Sequence, residues 1–336
     1  MGASVNIMLG TACNWRCSYC LQTDEKGFNV KHDPDVFVDK FRKYIIDNKI
    51  EIKRIAYWGG EPCLYWDQVK TIDLQLQDLV QQPSRFITNG SLINDEHIRF
   101  LNQQQMLVNV SYHQGELSDD QWKQCFKIRR LYITSLIHHK CLTFEPYYQK
   151  WQYLYDKFGR CVSWYVFPLK YTNGMTSEYA LTSDDIDQYI EYLYSIVEKC
   201  KTNIFYKRMM EILFYTFYEH DYDPSYYNFC YNKNVISVDL LGNRYFCHHD
   251  CNHNNIVANI FDQIPIYNDT LFFDKIRSKR QQCIHCPLYQ RCIGGCFRDQ
   301  SPTTTCYFKL KMYNFLKYIK TNYSDIVDSK YLNYID

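Results

Sequence analysis

Short runs of apolar, β-branched and aromatic residues alternate along much of the chain with stretches whose apolar positions recur at helical spacing. The run "SVNIML" (residues 4–9) predicts a first strand that leads straight into a cysteine-bearing loop. "DPDVFVDKFRKYIIDN" (33–48) follows with the pattern of an amphipathic helix, Asp33 standing as its cap and Pro34 at its first position. "IKRIAYWGGEP" (52–62) reads as a strand ending in a glycine turn, and a helix is expected from about Trp66 to Gln81. The strand signal returns in "RFITNGS" (85–91), "LVNVSYH" (107–113), "LYITSLIH" (131–138) and "VSWYVFPL" (162–169), with helical segments between them.

Six strand–helix units in roughly 200 residues predict an α/β fold, its parallel sheet joined by right-handed crossovers and closed partly or fully into a barrel. Ligands of such sheets gather at the carboxyl ends of the strands. The cysteine loop, "GGEP", "TNG" and "SYH" all stand at predicted strand ends and so should meet on one rim.

After about residue 203 the pattern changes. A helix, "FYKRMMEILFYTFYEH" (205–220), leads to Cys230, and "VISVDLLGNRYFC" (235–247) predicts a hairpin turning at Gly242-Asn243. A cysteine-dense run from 283 to 306 precedes a closing amphipathic helix, "YFKLKMYNFLKYIK" (307–320). These changes divide the chain into residues 1–202 and 203–336. A chain of 336 residues has room for one large core and a smaller appended domain.

Charge narrows the function classes. With 38 basic and 37 acidic residues the net charge is +1, which gives no steering toward nucleic acid or anionic lipid. No apolar run approaches the ~20 residues of a membrane span. The N-terminus lacks the basic and apolar regions of a signal peptide, and Asn6 stands where a myristoylation motif wants Ser or Thr. A cytoplasmic protein is expected. Sixteen cysteines then point to metal binding rather than disulfides, because a reducing compartment disfavours the latter. The 32 tyrosines follow the same bias toward Asn, Ile and Lys that an AT-rich genome imposes, and carry no chemistry of their own here.

Cys13, Cys17 and Cys20 fall within eight residues of the first strand's loop. Three thiolates leave a tetrahedral metal site one ligand short, so a zinc knuckle would need a fourth group from elsewhere. The C-x3-C-x2-C spacing after a first strand resembles the radical S-adenosylmethionine superfamily. That resemblance implies a [4Fe–4S] cluster on three cysteines, with the fourth iron left for the amino and carboxylate groups of S-adenosylmethionine. Tyr19 matches the aromatic residue that family members carry beside the cofactor. "GGEP" (Gly59, Gly60, Glu61, Pro62) resembles the family's methionine-binding turn, in which glycine admits close backbone approach and the turn offers acceptors to the cofactor ammonium. Thr88, Asn89 and Gly90 match a third-strand element of the same family. Ser111 fits a ribose-contacting Ser-x-Asp, while His113 replaces its Asp. No arginine stands out for the cofactor carboxylate, and Lys123 reads as a solvated helix residue.

Cys230, Gly242, Cys247, Cys283, Cys286, Cys292, Cys296 and Cys306 reproduce the spacing of the SPASM extension of one subfamily. The whole chain thus resembles a partial (β/α)6 radical SAM barrel followed by a small cysteine-rich SPASM domain with a β-hairpin and a C-terminal helix. By that resemblance Cys230, Cys247 and Cys296 serve a first auxiliary [4Fe–4S] cluster, and Cys283, Cys286, Cys292 and Cys306 a second. The first is one ligand short. Cys251 is a candidate, as are His248, His249, Asp250 and His253, or an iron left open to substrate. Cys63, Cys125, Cys141, Cys161 and Cys200 are expected to be small buried hydrophobes.

The resemblance implies cleavage of S-adenosylmethionine to a 5′-deoxyadenosyl radical, hydrogen abstraction, and oxidation or crosslinking of a peptide or protein side chain. Its implied partners are a peptide or protein substrate, a flavodoxin- or ferredoxin-type reductant, and a separate leader-binding protein where the substrate needs one. Only twelve residues precede Cys13, so no leader-binding domain is expected there. His248 stands where sulfatase-maturing relatives place a catalytic Asp, and a histidine at that position can take a proton near neutral pH. The rivals are oxidation of a small molecule and, from another class, a zinc-rich binding module built on "CIHCPLYQRCIGGC".

Overall fold

The computed structural model describes residues 2–20, 22, 32–112, 117–169, 177–214, 235–245, 256–262, 285–286, 288 and 302–326. These fall into two compact units, Met1–Tyr132 with Phe229–Asp274 and Ile133–Asn228 with Lys275–Asp336.

The first unit is built on a sheet ordered β4-β3-β2-β1-β7-β8-β9. Its strands are β1 (Ala3–Met8), β2 (Ile52–Trp58), β3 (Arg85–Thr88), β4 (Leu107–Ser111), β7 (Val235–Asp239), β8 (Asn243–Tyr245) and β9 (Ile256–Asn259). Pairing from β4 through to β7 is parallel, and β7-β8-β9 is antiparallel. The register sets Met8 beside Trp58 on one side and Asp239 on the other, so three strand ends share a level. Among the described residues this unit has four α-helices: α1 (Pro34–Asp47), α2 (Trp66–Leu76), α3 (Asp95–Gln103) and α4 (Asp119–Cys125). The Asp33 side chain accepts from the Asp35 N–H and caps α1, with Pro34 in its first turn. The helix expected from Trp66 to Gln81 stays α-helical to Leu76 and tightens into a 3₁₀ turn over Gln77–Leu79.

The second unit contains β5 from Ile133 onward (Leu131–Ile137), β6 (Ser163–Pro168), α5 (Glu145–Phe158), α6 (Ser183–Ile196), α7 (Ile204–Phe214) and α8 (Pro302–Asn322). Trp151 and Trp164 are fully buried in it, and the Trp164 indole N–H donates to Ser135 Oγ at 2.9 Å. The expected helix over 205–220 is described as far as Phe214, and its remainder lies outside the described residues.

The alternating strands and helices and the parallel sheet agree with the α/β reading. The β7-β8 hairpin, described over 235–245, adds to the same sheet as β1, although its sequence belongs to the region after residue 203. Its turn runs through Leu240, Leu241 and Gly242, with Gly242 at φ +82° and Asn243 already in β8. Buried Asp239 holds this turn. Its carboxylate accepts from Leu241 N–H (2.9 Å), Asn243 N–H (2.9 Å), Asn243 Nδ2 (3.0 Å) and the Tyr245 hydroxyl (2.8 Å). Replacing Asp239 by Ala leaves four donors without their acceptor, and we expect a loss of about 2–4 kcal/mol. Urea unfolding of the cluster-free protein checks this; a loss under about 0.5 kcal/mol would show that water replaces the carboxylate at no cost.

Candidate active site

The loop after β1 carries Cys13, Cys17, Tyr19 and Cys20, all half-buried. It is fastened to the turn after β2 by backbone bonds and one tyrosine hydroxyl. Gly60 N–H donates to Gly10 O at 2.9 Å and Glu61 N–H to Ala12 O at 2.8 Å. The hydroxyl of buried Tyr65, at the end of that turn, accepts the Ala12 N–H at 2.9 Å. These contacts leave no room for side chains on the two glycines. A Cβ at Gly60 would stand 2.1 Å from Ala12 O, and one at Gly59 would stand 2.5 Å from Gly10 O.

Glu61 is fully buried. Its Oε1 accepts from Cys63 N–H at 3.0 Å and from the Thr88 hydroxyl at 2.7 Å, and its Oε2 accepts from Asn89 N–H at 2.8 Å. Burial pushes the carboxyl pKa up, while these donors pull it back. The Glu61 side chain is therefore a tie between the "GGEP" turn and the end of β3. Thr88 passes the connection on, its hydroxyl accepting the Gly90 N–H at 3.0 Å.

Asn89 completes the junction. Its Nδ2 donates to Asn14 Oδ1 at 2.9 Å, inside the cysteine loop, and its Oδ1 accepts from Ser91 N–H (2.9 Å) and Oγ (2.6 Å). Asn14 Nδ2 donates in turn to Ser91 Oγ at 2.8 Å. Two backbone amides already point at cysteine sulfurs: Trp15 N–H lies 3.4 Å from Cys13 Sγ, and Gln22 N–H lies 3.4 Å from Cys20 Sγ.

The strand-end motifs thus meet as expected for the cysteine loop, "GGEP" and "TNG". Ser111 ends β4 and is half-buried, Pro62 opens a buried 3₁₀ turn, and Lys123 is an exposed residue of α4. Cys286 and Cys306 belong to the second unit, and both are exposed. His113, Cys230, Cys247, His248, Cys251, Cys283, Cys292 and Cys296 lie outside the described residues, as do His249, Asp250 and His253. Cys63, Cys125, Cys141 and Cys200 are buried and Cys161 is half-buried. Burial pushes the Cys125 and Cys200 thiols up to about 12 and also raises Cys63 and Cys161.

A three-thiolate cluster fits this loop. The Cys13 and Cys20 sulfurs receive N–H donors, and the two glycines of the turn leave no side chain between it and the loop. No group of three His, Cys, Asp or Glu side chains suited to one ion occurs among the described residues. Cluster thiolates bind separate irons and so need not converge on one point. Asn14, Ser91, Tyr65 and Gly10 went unnoticed in the sequence. The signal for the first two was present: Asn and Ser in loops next to ligands are the residues that bond to nearby backbone and polar groups.

Residues 7–130 match the Radical SAM superfamily, and this part of the chain is a radical SAM domain. A GTP 3′,8-cyclase of Clostridium perfringens is 26% identical over 144 residues, which are 41% of this chain and 42% of the cyclase. The radical SAM cyclopropyl synthase TigE of Paramaledivibacter caminithermalis is 22% identical over 125 residues, 32% of this chain and 26% of TigE. The matched stretch spans less than half the length of these curated relatives. Among solved structures, native anSMEcpe with bound AdoMet and Cp18Cys peptide covers 96% of this chain and 98% of its own, with 15% identity and a TM-score of 0.69. Streptococcus suis SuiB bound to precursor peptide SuiA covers 90% and 74%, with 16% identity and a TM-score of 0.63. These likenesses establish the fold. Among the described residues no helix is long and apolar enough to cross a membrane.

Glu61→Ala would leave two backbone N–H groups and a hydroxyl buried without their acceptor. We expect about 2–4 kcal/mol of lost stability and weakened S-adenosylmethionine binding together, because turn and strand end would part. Wild-type urea unfolding with weakened cofactor binding would mean instead that the carboxylate serves the ligand alone.

Proposed function

We propose that this protein cleaves S-adenosylmethionine reductively and uses the resulting 5′-deoxyadenosyl radical to oxidise or crosslink a peptide or protein side chain. The observation that carries the reading is the junction of the cysteine loop, the glycine turn and the end of β3 through Gly60, Glu61 and Asn89. Cys13, Cys17 and Cys20 are the residues to hold a [4Fe–4S] cluster, which when bound supplies the electron that breaks the cofactor's sulfonium bond. Gly59, Gly60 and Pro62 give the methionine end a backbone surface, and Tyr19, Ser111 and His113 are assigned to the rest of the cofactor. Both solved relatives described above were captured with peptides, Cp18Cys and SuiA, which favours a peptide substrate for the shared fold. The curated cyclase, whose substrate name is a nucleotide, keeps a small-molecule substrate as the second reading.

In the same reading residues 203–336 form a SPASM region with two auxiliary [4Fe–4S] clusters on Cys230, Cys247, Cys251, Cys283, Cys286, Cys292, Cys296 and Cys306. The division at 202 and 203 marks a change of chemistry rather than a break in the sheet, since β7 pairs with β1. Auxiliary clusters suit a product that has lost a second electron, and His248 is assigned as the base that takes its proton. A flavodoxin or ferredoxin in the cytoplasm is the matching reductant.

Anaerobic reconstitution should load roughly 12 irons per chain, four for each cluster. Replacing Cys13, Cys17 and Cys20 together by Ala should remove about a third of them and end 5′-deoxyadenosine formation. About four irons in protein that still forms 5′-deoxyadenosine would remove the auxiliary clusters from the reading. Full product yield from a Cys247→Ala, Cys296→Ala variant would remove the oxidative step.

A further inference from the structure

Asn89 does more than close a turn. It is 8% exposed, and its amide stands between the turn after β3 and the cysteine loop. One Nδ2 hydrogen serves Asn14 Oδ1 at 2.9 Å, and Nδ2 also lies 4.0 Å from Cys13 Sγ, at the outer limit for a sulfur acceptor. Its Oδ1 is held by the Ser91 N–H and hydroxyl, so the amide cannot turn away without giving up both of those bonds, while Glu61 fixes the backbone that carries it. The nitrogen is therefore aimed at the first cysteine by bonds on its other side.

We propose that Asn89 is a positioning residue for the iron–sulfur cluster, donating an N–H to the Cys13 thiolate and, through Asn14, fixing the backbone between the first two ligands. The proposal rests on the reading that Cys13, Cys17 and Cys20 hold that cluster. An N–H directed at a thiolate withdraws electron density from the sulfur and favours the reduced, more negative cluster. Trp15 N–H does this for Cys13 from the backbone, where substitution cannot remove it. Asn89 does it from a side chain, so the contribution can be deleted. Removing such an outer-layer partner typically costs about tenfold or more in metal affinity.

Redox titration of the reconstituted full-length protein tests this. The signal to follow is the electron paramagnetic resonance line that shifts when S-adenosylmethionine is added, which separates this cluster from any other. A chelator competition measures the rate of iron loss. Asn89→Ala should move the midpoint to a more negative value, and Asn89→Asp should move it further, because a carboxylate removes the donor and adds a charge. Both should lose iron about tenfold faster than wild type. Asn14→Ala should speed iron loss with little change of midpoint, since it leaves the nitrogen beside Cys13. Absence of the S-adenosylmethionine-sensitive line from the wild type would defeat the cluster reading and this inference with it. A wild-type line with unchanged midpoint and iron loss in both Asn89 variants would leave the cluster reading standing and overturn the inference. Should the Asn89 variants fail to fold, Asn14→Ala decides alone: faster iron loss with wild-type circular dichroism supports the inference, and a wild-type rate overturns it.

Discussion

A carboxylate without water must have donors, and the fully buried Glu61 takes three of them from two separate pieces of chain. That requirement fixes where the turn after β2 stands relative to the end of β3. The solvation that Glu61 gives up on burial is returned only if Cys63 N–H, Thr88 and Asn89 N–H are all in place. A small displacement of either loop would strand a charge. The rest of the site inherits its geometry from that condition. Asn89, set by Glu61 through its backbone, sets Asn14 through its side chain.

The second constraint is steric. The cysteine loop lies so close to Gly59 and Gly60 that its carbonyl oxygens occupy the space a side chain would need. Backbone therefore meets backbone, and the adjoining surface is lined by amide and carbonyl groups of fixed direction. Such a surface offers hydrogen bonds whose direction does not depend on rotamers. Together the buried carboxylate and the glycine contact make the junction rigid before anything is bound.

Much of this was legible in the chain, for identifiable reasons. Alternation of strand and helix signals gave β1 through β6 at nearly the observed bounds, because each strand is short, β-branched and followed by a glycine or polar break. Asp33 and Pro34 announced α1 by side-chain chemistry that acts locally. The cysteine spacing and "GGEP" indicated the rim because strand ends are where such folds bind. The role of Glu61 was not legible. An acidic residue in a glycine turn reads as exposed and ligand-facing until burial is known, and burial depends on β3 lying beside it. The pairing of β7 with β1 was hidden for the same reason, since nothing local in "VISVD" names its neighbour. Asn14 and Ser91 were visible as residue types, yet the bonds that join Asn14 to Ser91 and to Asn89 span 75 or more positions of sequence.

The place of β1 in the sheet bears on how the molecule comes to be. Asn6 donates to Ser237 Oγ across 231 positions of sequence. The strand that carries the cysteine loop is made well before the segment 235–239, and one of its edges stays open until that segment follows. Contacts of such separation slow folding, and an unpaired strand edge invites association with other chains meanwhile. A product cut short near residue 203 would retain every motif of the rim and still lack the neighbour that closes β1. Integrity of the rim is thereby made to depend on synthesis through residue 239, well beyond the last of the motifs that build it.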